Sequence, residues 1–311
     1  MKLLGLDIGG TKCAAVTALW DGEEITIQER ISLPTDHTVP GEEMVARLFS
    51  IADELLDVAP DAIGISCGGP LDTARGIVLS PPNLPTWQNV PITALAEAHF
   101  GVSAHLENDA NASALAEWRF GAGRGYKNLV FLTFGTGLGA GLILDGRLYR
   151  GANGNAGEVG HVRLRKDGPM GYGKCGSFEG FCSGGGIAQL ARELAEAASV
   201  EGRTPSYWRG GEVTAHAVAE AARAGDETAR EVFRLSAECL GDGLSLLVDI
   251  LNPEAIVIGS IYARCEDLLA DGARRALIRE ALPNAAEVLR ILPAALGDGI
   301  GDYAAIAAAI L

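Results

Sequence analysis

The chain opens with short apolar or alternating runs at residues 3–7, 13–19 and 24–33, separated by Gly or Asp-Gly breaks. Such runs predict strands in an antiparallel meander. The period then changes. Over residues 42–58, Met44, Val45, Leu48, Ile51, Ala52, Leu55 and Leu56 recur at helical spacing with acids on the other face, which predicts an amphipathic helix. Residues 62–66 and 104–107 read as buried strands, with a short helix over 92–100 between them. Two more strands are expected at 129–134 and 141–144, around a Gly-rich turn.

Beyond about residue 186 the chain turns Ala/Leu/Glu-rich. Helices are expected over 187–198, 214–224 and 228–251, with 202–211 as a loop. A strand over 255–258 follows the helix-stopping pair Asn252-Pro253. A last apolar helix over 303–311 is expected to dock on a core. One long-range echo stands out: the run from Leu3 to Thr11 resembles the run from Leu129 to Gly137, each an apolar strand entering a Gly/Thr loop. Two such hairpins predict a duplicated α/β unit with a cleft between the copies.

The 311 residues fit one large domain or two ordinary ones at roughly 100–200 residues per domain. With 48% hydrophobic and 21% charged residues, the composition is globular. Lys and Arg total 25 against 40 Asp and Glu, so the net charge is 25 − 40 = −15. That disfavours a nucleic-acid partner, which needs a basic footprint. It leaves a nucleotide substrate open, because backbone amides can cradle phosphates in an acidic protein. The six Cys form no compact disulfide framework, and a reducing compartment is expected. The apolar run at 3–6 is too short for a signal-peptide core, and the stretch 129–144 is broken by four glycines. A soluble cytoplasmic protein without a membrane partner is the expectation.

The 41 glycines cluster, and the clusters carry candidate chemistry. Asp7-Ile8-Gly9-Gly10-Thr11 joins an acid, two glycines and a hydroxyl. Glycines let amides approach phosphate oxygens, Thr adds a donor, and Asp7 is placed to hold Mg²⁺, directly or through water. A plain hairpin turn is the competing reading. Gly135, Gly137 and Ala140 satisfy the G-x-G-x-x-G/A dinucleotide fingerprint. That fingerprint needs a helix at the loop, whereas residues 141–146 continue as strand and Asp-Gly turn. No Walker loop occurs either, so two phosphate hairpins are the better reading. In Glu107-Asn108-Asp109-Ala110-Asn111, Asp109 sits where a strand gives way to a helix. A carboxylate there can take a hydroxyl proton and orient the oxygen for attack on a phosphoryl group. An Asn or Asp helix cap is the bland alternative, and Asn108 or Asp109 could serve either role. Finally, Glu158 and His161 sit in a Gly-rich loop that could meet vicinal hydroxyls; a lone loop His is more often structural.

Taken together, Asp7–Thr11, Gly68-Gly69-Pro70-Leu71-Asp72, Asn83-Leu84, Glu107–Asn111, Gly135-Thr136-Gly137, Gly157–His161, and Asn252-Pro253-Glu254 to Gly259 resemble, in order and spacing, the ROK family of repressors and sugar kinases. This family lies within the actin/hexokinase/Hsp70-like ATPase group. The resemblance covers essentially the whole chain. It implies an α/β, two-domain actin-like ATPase fold (ribonuclease H-like) with a central cleft, divided as 1–115 plus 299–311 and 116–298, closing on sugar and Mg-ATP in a homodimer. It implies that Asp109 is the general base on a sugar 6-hydroxyl. Gly69, Asn83, Asn108, Glu158, His161 and Glu179 would hold the sugar. Gly9, Gly10, Thr11, Lys12, Gly135, Thr136 and Gly137 would hold the phosphates, Asp7 the Mg²⁺ through water, and Gly259 and Ser260 would flank the adenosine.

The resemblance has one departure. The family follows its His with a C-x-C-G-x-x-G-C-x-E run that completes a zinc site. Here Cys175 survives at one ligand position, Cys182 falls beyond the cluster, and Glu179 is kept. Tetrahedral structural zinc needs four ligands, so none is expected. A glucokinase-like enzyme is the leading expectation. N-acetylmannosamine, N-acetylglucosamine, fructose and allose are the other acceptors. The repressor branch carries a helix-turn-helix ahead of the sugar-binding part, for which Asp7 leaves no room; a non-catalytic sugar sensor is the remaining alternative.

Overall fold

A computed structural model describes residues 1–208 and 211–311. The chain divides into two units, Met1–Gly125 with Gly141–Ala156 and Ala295–Leu311, and Tyr126–Ala140 with Gly157–Ala294. In the first unit, β1 (Lys2–Ile8), β2 (Lys12–Trp20) and β3 (Ile25–Pro34) pair antiparallel in sequence order, as the alternating runs predict. α1 (Gly41–Asp53) follows and buries Met44, Val45, Leu48 and Phe49. The helix stops short of the expected residue 58. Leu55 and Leu56 instead turn on i→i+3 bonds to Ala52 and Asp53, and still pack on the core, which is why the apolar spacing outlasts the helix.

β4 (Ala62–Cys67) is buried throughout and runs parallel to β1. A small ribbon, β5 (Leu71–Asp72) with β6 (Ile77–Val78), precedes α2 (Ile92–Phe100). β7 (Ala104–Asn108) then adds parallel to β4 and closes the sheet in the order β3-β2-β1-β4-β7. α3 (Asp109–Phe120) leaves the end of β7 directly.

One face of this sheet packs on α1 and α2 through Leu4, Leu6, Ile8, Ile63, Ile65 and Leu106. The other receives the C-terminal helix. Gly5 and Gly64 are paired across β1 and β4, and an added Cβ at Gly64 would lie 1.9 Å from the Ala305 carbonyl oxygen. The backbone of that helix therefore rests directly on the sheet, and its Ala304, Ala305, Ala307, Ala308 and Ala309 keep the approach close.

In the second unit, β8 (Leu129–Phe134) enters a Gly loop and β9 (Leu138–Leu144) leaves it; from Gly141 on, β9 belongs to the first unit. β9 begins three residues earlier than expected, inside the Gly-rich segment. There β9 turns at Asp145-Gly146, both at positive φ, into β10 (Arg147–Leu148), which is the strand continuation that excludes a dinucleotide fold. Back in the second unit, β11 (Met170–Gly171) and β12 (Lys174–Cys175) form a two-residue hairpin before α4 (Phe178–Phe181) and α5 (Gly184–Val200). Of the loop expected at 202–211, residues 206–208 form a 3₁₀ turn, and Arg209 and Gly210 lie outside the described residues. α6 (Ala215–Arg223) and α7 (Glu227–Leu251) match the helical periodicity.

β13 (Ala255–Ile258) lies parallel to β8. After it come α8 (Ile261–Arg264), α9 (Glu266–Glu280), α10 (Pro283–Val288) and β14 (Arg290–Pro293), which pairs with β13. None of these four was expected from the sequence. The chain then re-enters the first unit and ends in α11 (Ile300–Ala309), the helix docked on Gly5 and Gly64. Among the described residues no helix is long and apolar enough to cross a membrane.

Glu117, fully buried near the end of α3, organises the points where the chain leaves and rejoins the first unit. Its Oε2 accepts from the N–H of Ala122 at 2.8 Å and of Ala295 at 3.2 Å, and its Oε1 accepts from Leu296 at 2.9 Å. Gly121 must be glycine here, since a Cβ would fall 2.0 Å from Glu117 Oε2. The α11 contact yields a direct test. Gly64→Ala is expected to destabilise the protein by about 3 kcal/mol in urea unfolding, as over-packing against fixed backbone does. Gly211→Ala, which meets open space, should change stability by less than about 0.5 kcal/mol.

Candidate functional site

The first unit gathers its candidate residues at the carboxyl ends of β1, β4 and β7, where open α/β sheets present ligand sites. In-register pairing sets Asp7 beside Ser66 and Ser66 beside Glu107, with Ile8, Cys67 and Asn108 in the next row. The loop after β1 is closed by Gly9 N–H donating to the Lys12 carbonyl at 3.1 Å, while the Thr35 hydroxyl donates to the Gly9 carbonyl at 2.6 Å. Gly10 sits against Asn83, whose Cβ and carbonyl oxygen would each lie 2.8 Å from an added Cβ. The segment carrying Asn83 and the loop carrying Thr11 and Lys12 are thus packed face to face.

Asn108 is the N-cap of α3. Its side-chain oxygen accepts from the N–H groups of Ala110 at 3.0 Å and Asn111 at 3.4 Å. Capping therefore falls to Asn108 and leaves Asp109 on the first turn. Asp109 Oδ1 accepts from the Ala110 N–H at 2.8 Å. Its Oδ2 turns toward Gly68, 3.7 Å from an ideal Cβ there, with the Asn83 amide at 3.7–3.8 Å from the same point. Gly69 lies beside the Asn108 amide nitrogen. Asp109 as a residue is open to solvent, but desolvation of its carboxyl by the surrounding protein raises its pKa, and the Ala110 N–H opposes the rise. Asp7 is pushed up to about 6, first by burial and then by the Asp302 and Asp109 carboxylates, with Lys12 and Arg30 opposing. Asp302 itself bonds Arg30 at 2.9 Å.

The second unit holds the other candidates. In the loop between β8 and β9, Gly135 N–H donates to the Gly137 carbonyl at 3.1 Å, and the Thr133 hydroxyl accepts from the Gly139 N–H at 2.8 Å. Ser260, at φ +48°, places its hydroxyl near Gly135, and Gly259 N–H donates to Leu132 at 2.9 Å. Gly135 thus lies beside Ser260, which follows Gly259 at the end of β13. Glu179, on the first turn of α4, accepts from the Leu138 N–H at 3.0 Å and lies against Gly137. Glu158 and His161 belong to one 3₁₀ turn, in which His161 N–H donates to the Glu158 carbonyl at 3.2 Å. Gly160, between them, packs on the Leu138 carbonyl and the Glu179 side chain, so the turn carrying Glu158 and His161 lies against Glu179.

Several neighbours escaped sequence reasoning. The N-terminus of α5 lies against the β8–β9 loop, with Gly184 N–H donating to the Gly135 carbonyl at 2.8 Å; the Ser183-Gly184-Gly185-Gly186 run was its visible signal. Arg150 pairs with Glu107, a charge buried beside Leu106 in β7 that the sequence could have flagged. Around His161, the Lys174 ammonium donates to its carbonyl at 2.6 Å and the Tyr172 ring packs edge-on at 4.9 Å.

That hairpin does not fit a tetrahedral zinc. Cys175 Sγ donates to the Gly168 carbonyl at 3.0 Å, and Cys182 is buried, donating to the Ser236 carbonyl at 3.5 Å. No group of three His, Cys, Asp or Glu side chains among the described residues is arranged to hold a metal. Asp7 is a different case. Mg²⁺ takes one or two carboxylates and completes its shell with substrate phosphates and water, so a single carboxylate beside a Gly loop fits it.

The ROK family model matches residues 3–310. A glucokinase of Streptomyces coelicolor is 33% identical over 96% of this chain and 94% of its own. A xylose repressor of Caldicellulosiruptor bescii is 33% identical over 83% of this chain, which spans 65% of the repressor's length. Among solved structures, a Streptomyces griseus ROK glucokinase in complex with glucose and AMPPNP matches with a TM-score of 0.78 at 33% identity, covering 100% of this chain and 99% of its own. The architecture is therefore the α/β actin-like ATPase fold shared by ROK kinases. The chain belongs to the ROK family.

Two outcomes follow from the site chemistry. With its pKa raised in the fold, Asp7 costs the ligand-free protein stability as pH rises through about 6. Asp7→Asn should therefore stabilise the protein at pH 8 by up to about 3 kcal/mol and leave it unchanged at pH 4. An equal effect at both pH values in calorimetry would contradict the assignment. The second outcome concerns zinc. Elemental analysis should find no stoichiometric zinc, and phenanthroline should leave the unfolding midpoint where it was.

Proposed function

We propose that this chain is an ATP-dependent sugar kinase that phosphorylates a hexose at its 6-hydroxyl, with Asp109 as the general base. The observation that carries the reading is the Asp109 carboxylate, solvent-accessible on the first turn of α3, with Oδ1 tied to the Ala110 N–H and Oδ2 facing Gly68 and Asn83. Its raised pKa makes it a better proton acceptor than an ordinary carboxylate, and its bonded geometry orients the hydroxyl oxygen it would deprotonate. Asn83, Asn108 and Gly69 line the same edge and would bind further sugar hydroxyls, as would Glu158, His161 and Glu179 from the second unit.

The amides and hydroxyls of Gly9, Gly10, Thr11 and Lys12, and of Gly135, Thr136 and Gly137, would hold the ATP phosphates, with Gly259 and Ser260 beside the nucleoside. Asp7 would hold Mg²⁺. When bound there, the ion would offset charge on the transferred phosphoryl group. Full-length similarity to glucokinases supports ATP and a hexose as the substrates. The altered Cys175–Ser183 segment contains Glu179 and makes N-acetylmannosamine, N-acetylglucosamine and fructose the competing acceptors.

Similarity to the xylose repressor supports a second reading, a sugar-responsive regulator that binds sugar without consuming ATP. A panel of hexoses and N-acetylhexosamines scored by kcat/KM separates the two and ranks the acceptors. Asp109→Asn should lower kcat by about 10²-fold or more while calorimetric sugar binding persists. Wild-type activity should fall on the acid side at a pH above the ordinary carboxylate range. Undiminished turnover by the Asn variant would remove Asp109 from its role.

A further inference from the structure

Glu107 is buried two residues before Asp109, and both its oxygens are committed. Oε1 accepts from the Asn108 N–H and from Asn111 Nδ2, each at 3.0 Å. Oε2 accepts from Arg150 Nε at 2.8 Å and lies 2.7 Å from Arg150 Nη2. A buried carboxylate without such partners would cost several kcal/mol.

The identity of the partners gives the cluster its meaning. Asn108 is the cap of α3 and Asn111 belongs to its first turn, so two of the four contacts hold the turn on which Asp109 rides. Asn111 is itself buried, and its Oδ1 has no hydrogen-bond partner among the described residues; the bond from its Nδ2 to Glu107 sets the orientation of that amide. The other two contacts come from Arg150, which opens the loop closed by the Ala156 N–H donating to the Arg150 carbonyl at 3.2 Å. Gly151 follows at φ +72°, and the segment runs on into Gly157 and Glu158.

We propose that Glu107 and Arg150 are positioning residues for phosphoryl transfer, fixing the first turn of α3 and the base of the 150–156 loop so that the Asp109 carboxylate is held in its reacting orientation. This rests on the reading of Asp109 as the base. Neither residue needs to touch the sugar or the nucleotide. Arg is suited to the task because its planar fork presents Nε and Nη2 together to one carboxylate, which the single ammonium of Lys reproduces only in part.

The test uses the full-length protein with the best acceptor from the sugar panel. Arg150→Gln and Glu107→Gln should each lower kcat by about 10- to 100-fold, the scale of a catalytic group displaced by about 1 Å. KM for ATP should stay within about twofold, because neither residue belongs to the Gly9–Lys12 loop and their bonds run to α3 and to each other. Arg150→Lys, which keeps the charge and one donor, should recover to within about fivefold of wild type. The Glu107→Gln/Arg150→Gln double variant, an amide facing an amide, should turn over faster than Arg150→Gln alone, because no buried charge is left unpaired.

If Arg150→Gln fails to fold, Arg150→Lys and Arg150→Ala with added ethylguanidinium provide the same comparison. Wild-type kcat in Arg150→Gln, or a loss that neither Lys nor guanidinium restores, overturns the proposal. In both of those outcomes the wild type still turns over and Asp109 keeps its role. A wild type that binds sugar but phosphorylates none of the panel overturns both readings together.

Discussion

The parallel register of β1, β4 and β7 is the constraint on which the first unit depends. Side chains alternate between faces along a strand, so a slip of one residue would send every polar group in a row to the opposite side. In register, Asp7, Ser66 and Glu107 form one row, and Ile8, Cys67 and Asn108 the next. The same register brings Gly5 beside Gly64, and only that coincidence leaves a smooth strip for the backbone of α11. The helix docks there with Gly301 close against the Asp7 carboxylate and Asp302 among the charges that raise its pKa. Packing on one face and electrostatics at the strand ends are thus consequences of one pairing pattern.

Four carboxylates of this unit show how burial separates structural from reactive acids. Glu107 is neutralised by Arg150 and fully hydrogen-bonded. Glu117 is served by three backbone N–H groups from the two places where the chain crosses between units. Both are satisfied where they sit. Asp109 takes one amide on Oδ1 and turns Oδ2 toward Gly68, and Asp7 has like-charged neighbours and a pKa of about 6. Under-compensated carboxylates concentrate where a ligand must complete the set.

The second unit solves a different problem. The turn bearing Glu158 and His161 has a buried Gly160 and a half-buried His161. Gly160 packs it onto Leu138 and Glu179, while Lys174 and Tyr172 hold His161 from the β11–β12 hairpin. The Lys174 ammonium on the His161 carbonyl and the Tyr172 ring on the imidazole tie this turn to the hairpin. The thiols are spent otherwise: Cys175 on a loop carbonyl and Cys182 in the packing between α4 and α7.

Local periodicity determined the meander, α2, α6 and α7, β4 and β13, because each is written in its own stretch of apolar spacing. The Gly/Thr loops, the Asp-Gly turn that rules out a dinucleotide fold, and the Asn/Asp pair opening α3 were equally legible, since turn and cap chemistry is local. α9 and β14 were not. Gly272 interrupts the α9 pattern, yet it is needed, because α9 packs against α7 so closely that Gly241 meets Ala273 and Ala276, and Gly272 meets Ala237. β14 is four residues long and gains its strand character from pairing with β13. The same limit applies to the site. The sequence by itself determined which residues could bind phosphate, accept a proton or meet a hydroxyl. Only the tertiary structure decided that Asn108 caps while Asp109 Oδ2 turns toward Gly68, and that Arg150 answers Glu107 across 43 positions of chain. Burial and charge pairing are set by neighbours distant in sequence, and no local pattern encodes them.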